Sequence, residues 1–505
     1  MAIDAATEPV FMPGDLASLR QRLLEGWPRL VSDEPFAPGA STSAILDRFA
    51  RALWSDPSMD RVWLAFVVVA GAFPSADEVQ RFRRRLRGGT AGDAFLAVLD
   101  CALAGACREG GVKRKIRIVS DRPIVDVDFS ATHGHNTGIQ RVVRETLTRW
   151  ANKRLFELAV WTEYGTVMRG VTKKERNLVL KWTSAMRPIR SGLRELHDDE
   201  TLVPWKTTVI FPEVCNVRST DELRGLARYS GNNVVAIGYD AIPIVSANLV
   251  TREDSNKYAQ YLSVVKYMNK VLAISDSAAE EFHGFADAVR MQGIAGPQVL
   301  SIPLPVDTVT AKASISASAS SAPVVLSVGT REFRKNQTSI LVAAELLWRE
   351  GLNFELVFVG GDAVELSGDF QEVLGLIKKK KRAVTIMLNV SDETLLEVYD
   401  RARFSVFVSL HEGYGLPVGE SLAHETPVLA SNYGSVGDIA REGGCILVDP
   451  RDDDAIRDAM RLLLTDDALV DSLKKEILTR PTRSWDNYAD ELWHASVSVG
   501  AGVLE

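Results

Sequence analysis

Two glutamates eight positions apart, Glu412 and Glu420, stand in the run from Ser409 to Val428, which also contains a Gly-x-Gly-x-Pro turn. The pattern predicts a strand that ends near Ser409 and a helix that has Pro417 in its first turn. A helix start offers unpaired N–H groups and a positive dipole end, and both suit phosphate oxygens. Glu412 would face a cleft from the end of the strand. Glu420 would lie in the first helical turn, where its carboxylate accepts hydrogen bonds from ribose hydroxyls.

Two arbitrary glutamates in such a place are as well explained by a solvated loop carboxylate and a charge that complements the helix dipole. Here the pair flanks a glycine-rich turn at a strand-to-helix junction. Gly413 and Gly415 let the backbone approach a ligand closely. The context therefore favours nucleotide binding, with Gly415, Leu416 and Pro417 beside the bound nucleotide.

A pair of adjacent cations, Arg334 and Lys335, follows Gly329 in the run from Gly329 to Asn336. Taken alone, such a pair is more often ordinary surface charge. The position of the pair beside Gly329, after the first strand of a second α/β half, favours a functional role over ordinary surface charge. Arg331 is a weaker candidate.

The run from Ser409 to Val428 resembles the paired-glutamate signature of family-four retaining glycosyltransferases of the GT-B fold. It is most similar to the bacterial mannosyl- and rhamnosyl-transferases that build surface polysaccharides, and the resemblance covers about residues 120 to 500. Three further segments agree with it: Gly329–Asn336, Thr137–Arg141, and Tyr239–Pro243 followed by Ala273–Ser275.

The resemblance implies two Rossmann-like domains, retention of anomeric configuration, and a GDP-, dTDP- or UDP-sugar as donor substrate, with no cofactor and no metal. It also implies that the leaving phosphate assists deprotonation of the acceptor. The catalytic residues that it indicates are Glu412, Arg334, Lys335 and Asp240. The donor-binding residues that it indicates are Gly138, Gly329, Thr330, Gly415, Leu416, Pro417 and Glu420.

The chain departs from the family pattern at two places. Many members carry a histidine on the strand that faces the donor sugar, where this chain has Tyr239 followed by Asp240. Asp240 is predicted to contact donor sugar or acceptor, although a buried aspartate that caps a nearby helix is the competing account. Some members carry a phosphate-binding arginine where this chain has Thr330. His133 and His135 stand in the first glycine loop, but no ligand cluster accompanies them, so a metal is not predicted.

The elements that must position these residues alternate between strand and helix, which indicates an α/β protein with parallel sheets. The predicted strand Pro123–Phe129 has Asp126 and Asp128 in its interior. We expect a helical region over 1–115 that is separate from the rest, a Rossmann-like acceptor domain over 116–305, and a Ser/Ala-rich linker over 306–322. We also expect a nucleotide-sugar domain over 323–482. A last helix over 483–505 should cross back to the first Rossmann-like domain.

The bulk composition narrows the function classes. A net charge of −7 over 505 residues argues against a general nucleic-acid binder. The four cysteines lack metal-ligand spacing and indicate reduced thiols, and the N-terminus lacks a secretory pattern, so a cytoplasmic protein is expected. The basic runs Arg81–Arg87 and Lys378–Arg382 are by default solvated; peripheral contact with anionic lipid or acceptor is the alternative.

These observations favour an enzyme that transfers a hexose or deoxyhexose, with mannose or rhamnose preferred, to a growing glycan or lipid-linked acceptor of a bacterial surface polysaccharide. A catalytically silent nucleotide-sugar scaffold or sensor with the same fold is the main alternative. A phosphorylase or an epimerase with this fold is a less favoured function, because the motifs that characterise those enzymes are absent from the sequence.

Overall fold

A computed structural model describes residues 13–31, 36, 39–106, 108, 113–134, 137–183, 200–306, 322–361 and 369–498. His135, Cys107 and nearly all of the predicted Ser/Ala-rich linker lie outside these residues. The statements below concern the described part of the chain.

The chain begins with a layer of helices. Their bounds are α1 (Pro13–Leu30), α2 (Thr42–Ser55), α3 (Met59–Ala70), α4 (Ala76–Gly88) and α5 (Ala91–Ala106). Helix α4 starts with a capping box in which Ser75 and Glu78 satisfy each other's backbone N–H groups. It buries Val79, Phe82 and Leu86, so the arginines of the basic run lie toward its outer face. Arg85, for example, pairs with Asp100 at 2.6 Å.

The expectation that this helical region is separate from the rest was wrong. Its buried side chains form one continuous hydrophobic core with one face of the following sheet. The ring of Phe73 packs edge-on against Trp161 at 5.8 Å between centroids. Helix α3 is apolar on nearly every side, and α1, α2 and α5 pack around it. A helix of this kind is buried in the core rather than exposed on one face.

The first Rossmann-like domain is built around a seven-stranded sheet. Its strands, with the additional pair β1 and β5, are β1 (Lys115–Val119), β2 (Ile124–Asp126), β3 (Glu157–Trp161), β4 (Met168–Gly170), β5 (Glu200–Pro204), β6 (Thr208–Phe211), β7 (Asn233–Gly238), β8 (Lys270–Ala273) and β9 (Gln298–Ser301). Its helices are α6 (Asp128–Thr132), α7 (Gly138–Lys153), α8 (Lys173–Leu180), α9 (Thr220–Tyr229), α10 (Ile242–Val245), α11 (Arg252–Val265) and α12 (Asp276–Arg290).

The strand order is β4-β3-β2-β6-β7-β8-β9, and every pairing is parallel except that of β4 with β3. Strands β1 and β5 form a separate parallel pair. The predicted strand Pro123–Phe129 is too long, because β2 ends at Asp126 and Asp128 already belongs to α6. The strand ends there because the Asp126 carboxylate accepts the N–H of Asp128 at 3.0 Å and turns the backbone.

The second Rossmann-like domain has six parallel strands in the order β12-β11-β10-β13-β14-β15. The strands are β10 (Val324–Val328), β11 (Glu355–Val359), β12 (Val384–Met387), β13 (Ala402–Phe407), β14 (Val428–Ser431) and β15 (Cys445–Val448). The helices are α13 (Gln337–Arg349), α14 (Phe370–Lys379), α15 (Asp392–Arg401), α16 (Leu416–Ala423), α17 (Gly434–Ala440), α18 (Asp453–Thr465), α19 (Asp467–Leu478) and α20 (Trp485–Val497).

Helix α20 lies against the first domain. The indole N–H of Trp150 donates to the Ala489 carbonyl at 2.7 Å, and the rings of Trp150 and Trp493 meet at 5.1 Å between centroids. A single hydrophobic cluster joins this contact to side chains of both domains, including Ile274, Tyr414 and Val418. The two domains are therefore packed together beneath the space that separates the carboxyl ends of their strands.

The basic run Lys378–Arg382 lies between α14 and β12. Lys380 and Arg382 turn inward and bond Glu345 at 2.7 and 3.2 Å. In the described part of the chain, no helix combines the length and the apolar character needed to cross a bilayer.

Candidate active site

A cleft of about 1190 Å³ runs between the two domains at the carboxyl ends of their strands. The weaker candidate Arg331 is buried outside the lining of this cleft. The structure brings the predicted catalytic and donor-binding residues to its walls; they are Gly138, Asp240, Gly329, Thr330, Arg334, Lys335, Glu412, Gly415, Leu416, Pro417 and Glu420. This is the place where open parallel sheets bind ligands. The individual roles of these residues stay predictions.

Glu412 holds the two predicted phosphate-binding cations together. Its carboxylate pairs with Arg334 at 2.8 Å and with Lys335 at 2.5 Å, and only 9% of its side chain is exposed. Burial alone raises the pKa of Glu412, but the charges of Lys335 and Arg334 outweigh burial and the net pKa is lowered. Glu412 is therefore an anion at neutral pH, and it fixes two cations at the cleft wall.

The arginine of this cluster has a second acidic neighbour. Arg334 also pairs with Glu332 at 2.6 Å. Burial lowers its pKa, but Glu412 and Glu332 outweigh burial and raise it, so the guanidinium stays charged. The Arg334 carbonyl accepts the N–H of Leu410 at 2.8 Å, which ties the loop after β10 to the loop after β13. The loop that carries both cations is thus bonded to the loop that carries Glu412.

Gly413 is required by a close approach between the domains. A Cβ at this position would lie 2.7 Å from the Tyr239 carbonyl oxygen and 2.8 Å from Asp240 Oδ2. The Gly413 carbonyl accepts the hydroxyl of Ser275 at 2.8 Å. The glycine therefore lets the loop after β13 contact the strand ends of the first domain directly.

Helix α16 begins at the cleft. Gly415 precedes it with φ of 106°, a left-handed conformation that favours glycine, and Pro417 occupies the first turn as predicted. Glu420, however, lies in the second turn, because the helix starts only at Leu416. The prediction that Glu420 sits in the first turn was wrong.

The Glu420 carboxylate is held from both domains. Arg141, on α7 of the first domain, donates to it at 2.6 Å. Tyr399, on α15 of the second domain, donates its hydroxyl at 3.1 Å. Arg141 belongs to the run Thr137–Arg141 that was singled out from sequence, but its role there was missed. One signal was available, since it lies about one helical turn beyond Gly138 and so on the same face of α7.

Asp240 follows β7 and faces the cleft, while its Oδ1 also accepts the N–H of Ile242 at 3.2 Å. The contact with donor or acceptor and the helix-capping account are therefore compatible. Burial, followed by the nearby charge of Glu281, raises the pKa of Asp240 to about 6, although Arg334 opposes the shift. Tyr239 is buried, and its hydroxyl donates to the Pro212 carbonyl at 2.8 Å.

His411 was not predicted. Its Nε2 contacts Glu281 of α12 at 2.5 Å, and its Nδ1 contacts the Ser246 hydroxyl at 2.8 Å, so it links the domains beside Glu412. Burial lowers the pKa of His411, but the bond to Glu281 outweighs burial and raises it. Nothing local marked this histidine, because Glu281 is 130 residues away in the chain.

Of the two histidines in the first glycine loop, the structure describes His133. Its side chain is exposed and stacks on Phe129. Within the described ranges, no group of three histidine, cysteine or carboxylate side chains is placed to hold a metal ion. Cys101, Cys215 and Cys445 are free thiols.

Two Rossmann-like domains whose strand ends face a shared cleft define the GT-B class of glycosyltransferase fold, as the sequence resemblance implied. Two solved structures share this architecture. Sucrose-phosphate synthase from Thermosynechococcus elongatus is 17% identical, with a TM-score of 0.51 over 74% of this chain and 98% of its own. The HepE protein of Anabaena, in complex with UDP and glucose, is 10% identical, with a TM-score of 0.51 over 75% of this chain and 100% of its own.

Residues 310–479 match the family model of glycosyl transferases group 1. The matched segment contains the Arg334, Lys335, Glu412 and Glu420 positions, and the match agrees with the resemblance found in the sequence.

Two curated relatives carry mannosyltransferase names. The serotype-specific mannosyltransferase WbdA of Escherichia coli is 26% identical over 367 residues, which are 69% of this chain and 42% of the relative. The O-antigen chain mannosyltransferase B of Escherichia coli is 31% identical over 166 residues, which are 32% of this chain and 42% of the relative. The chain thus matches less than half the length of either relative.

Proposed function

We propose that this chain is a retaining glycosyltransferase that moves a hexose or deoxyhexose, mannose or rhamnose in the first place, from a nucleoside-diphosphate sugar to a growing glycan. The observation that carries the proposal is the convergence of Arg334 and Lys335 on Glu412 at the cleft wall. A leaving diphosphate needs such preorganised cations, because they stabilise charge without reorganising during the reaction.

In the proposed reaction the bond between the anomeric carbon and the phosphate oxygen breaks, and its electron pair stays on the diphosphate. Arg334 and Lys335 stabilise that charge from one side, and the N-terminal end of α16 stabilises it from the other. The acceptor oxygen bonds to the anomeric carbon on the face that the diphosphate leaves. The proton of the acceptor hydroxyl passes to a leaving phosphate oxygen.

The other cleft residues are assigned by their place. Glu420 accepts hydrogen bonds from the ribose hydroxyls of the donor. Gly329 and Thr330, after β10, and Gly138, at the start of α7, border the nucleotide with backbone that lies close to it. Asp240 contacts donor sugar or acceptor from the first domain.

Mannose is favoured as the transferred sugar because both curated relatives are named mannosyltransferases, and one name refers to the O-antigen chain. The acceptor in this proposal is a glycan, or a lipid-linked saccharide, of a bacterial surface polysaccharide.

The direct test is turnover of GDP-mannose, dTDP-rhamnose and UDP-hexoses with α-mannoside and α-rhamnoside acceptors. We expect one donor to be consumed with formation of a glycoside whose anomeric configuration, read by NMR, equals that of the donor. Inversion would refute the retaining mechanism. Tight nucleotide-sugar binding without turnover on any acceptor, and without hydrolysis, would favour the silent scaffold instead.

A further inference from the structure

A fixed, partly exposed aromatic ring lies on the first-domain side of the cleft. Phe129, on α6, lines the cleft and is 38% exposed. Its ring stacks on that of His133, with 4.0 Å between centroids and 9° between planes. The two rings thus lie face to face, one above the other, and we call this stacked pair the aromatic platform.

The backbone beneath the platform is held by a buried carboxylate. Glu213, which follows β6, accepts the N–H groups of Phe129 and Ser130 at 2.9 Å each and also accepts the Ser130 hydroxyl. A carboxylate is costly to bury unless it is hydrogen-bonded in this way. The bonds fix the start of α6 and hence the direction of the Phe129 side chain.

A second set of bonds holds the same short helix. Asp128 accepts the N–H of Trp161 at 3.1 Å and pairs with Arg218 at 2.9 Å, while Asp126 accepts the Trp161 indole N–H at 2.9 Å. Helix α6 has only five residues, so it would not be stable alone. Three carboxylates therefore stabilise a short helix that leaves one aromatic ring partly uncovered.

The surroundings of the platform are mostly apolar. The cleft side chains of this half that lack charge include Val214, Val217, Ile242, Pro243 and Asn216. Among the described cleft residues the carboxylates outnumber the cations: the acids are Asp240, Asp254, Glu332, Glu412 and Glu420, and the bases are Lys257, Arg334 and Lys335.

Arg334 and Lys335 belong to the second domain, where the proposed reaction places the diphosphate. On the first-domain side, the described charged residues of the lining are Asp240, Asp254 and Lys257, and Lys257 pairs with Glu253 at 2.7 Å. An anionic group on the acceptor would thus meet net negative charge on that side of the cleft. A neutral pyranose ring fits better, because its C–H face packs on an aromatic face and its hydroxyls reach polar groups at the rim.

We propose that the aromatic platform, Phe129 stacked on His133, is the subsite on which the terminal sugar of a neutral oligosaccharide acceptor rests. The inference depends on the proposed glycosyltransferase function and narrows its acceptor to a saccharide whose reacting end bears no phosphate. A lipid-linked acceptor satisfies it only when neutral sugars separate the reacting end from the diphosphate.

The test uses the full chain and three variants: Phe129→Ala, Phe129→Trp, and Leu155→Ala as a control. Leu155 is 62% exposed and does not belong to the cleft lining. Neutral α-mannotriose and α-rhamnose oligosaccharides serve as acceptors, and mannose 6-phosphate is the charged comparison. Acceptor KM, hydrolysis of the donor without acceptor, and oligosaccharide binding by saturation-transfer NMR are measured.

We expect Phe129→Ala to raise the KM of the neutral acceptor about tenfold and to remove its NMR signal, since a stacking partner is lost. Phe129→Trp should stay within about threefold of the parent, and Leu155→Ala should equal it. Donor hydrolysis should be unchanged in all of them, because neither Phe129 nor Leu155 is among the residues assigned to the donor.

An unchanged acceptor KM in Phe129→Ala would overturn the platform, as would parallel loss of donor hydrolysis or a preference for mannose 6-phosphate. A parent protein that binds none of the neutral oligosaccharides would overturn it too. If the parent binds them through Phe129 but turns over no donor, the platform stands and the transferase proposal fails. The two ideas are therefore tested separately.

Discussion

Arg141 and Glu420 form an ion pair of 2.6 Å across the cleft, although 279 residues separate them in the chain. Arg141 comes from the first domain and Glu420 from the second. Their side chains are 27% and 21% exposed, so water still reaches both. If Glu420 binds donor ribose, then a ribose hydroxyl and a guanidinium compete for the same carboxylate, and nucleotide binding is coupled to contact between the domains.

Glu420→Ala should weaken the binding of a nucleoside diphosphate by about 1–3 kcal/mol, because a charge-assisted hydrogen bond to ribose is lost. Isothermal titration calorimetry with GDP, UDP and dTDP measures this. Glu397→Ala, at an exposed position of α15, is the matched control and should bind normally. Unchanged affinity in a folded Glu420→Ala protein would remove Glu420 from the donor site.

Arg141→Ala should act in the opposite direction and strengthen nucleoside diphosphate binding by up to about 1 kcal/mol, the scale of a partly exposed ion pair. The reason is that Glu420 becomes free of its competitor. Arg149→Ala, on the same helix and paired with Glu145 rather than Glu420, is the control. If Arg141→Ala weakens binding as much as Glu420→Ala does, Arg141 contacts the nucleotide itself and the competition does not exist.

The activity should depend on pH through Asp240. Its pKa of about 6 means that the carboxyl is largely neutral below pH 6 and ionised above it. A carboxylate accepts a hydrogen bond from a sugar hydroxyl more strongly than the neutral acid does, so kcat/KM for the acceptor should rise as the pH passes through about 6. Asp240→Asn should remove this limb, while Asp287→Asn at an exposed site of α12 should retain it.

The free energy of unfolding should fall as the pH rises, whereas the activity rises. The folded pKa of Asp240 lies above its unfolded value of 3.8, so the native state holds the proton more tightly between the two values. Its contribution to the free energy of unfolding is complete below about pH 4 and is lost as the pH rises through 6. Asp240→Asn should reduce the dependence of the thermal unfolding midpoint on pH in that window.

The role of Asp240 in the reaction is tested by activity. A pH profile of activity that is identical in the parent and Asp240→Asn would remove Asp240 from the reaction.

The local features of the fold could be predicted from sequence because they depend on neighbours in the chain. Gly415 and Pro417 start α16 as expected. The error over β2 has a local and a tertiary part. The Asp126 carboxylate turns the backbone where the strand stops, and the next residues are held in α6 because Glu213, more than 80 positions away, accepts their N–H groups.

The same limit applies to the site. Glu412 could be assigned to the cleft from a glycine-rich motif, but its pairing with Arg334 spans 78 positions and depends on how two loops meet. The separation expected for the helical region failed for a related reason. The sequence of α3 shows that the helix is apolar on nearly every side, but it does not show whether other helices or a sheet will cover those sides.

Activity should survive EDTA. Arg334, Lys335 and the start of α16 supply the positive charge that a divalent ion would otherwise supply to the leaving diphosphate. Initial rates before and after chelation, followed by addition of Mg²⁺ or Mn²⁺, measure this directly. Loss of activity that only a divalent ion restores would show that the stabilisation of the leaving group is assigned to the wrong groups.

The strongest test of the mechanism concerns Lys335 and Arg334. If they stabilise charge that develops on the diphosphate, they act more on the transition state than on bound donor. Lys335→Ala should then lower kcat about a hundredfold or more, the scale for one preorganised electrostatic contact. Donor KM should rise less than kcat falls, because α16 also holds the ground-state diphosphate.

Arg334→Lys should also lower kcat, because an ammonium group cannot reproduce the geometry of a guanidinium fork that contacts Glu412 and, in the proposed reaction, would also contact phosphate. Lys379→Ala, at an exposed position of α14, controls for a general loss of positive charge and should leave kcat unchanged. Each variant also tests Glu412, whose lowered pKa depends on Lys335 first and on Arg334 next. A folded double variant that keeps a near-normal kcat would show that these cations are ordinary charge at the cleft wall, and the assigned position of the diphosphate would then be wrong.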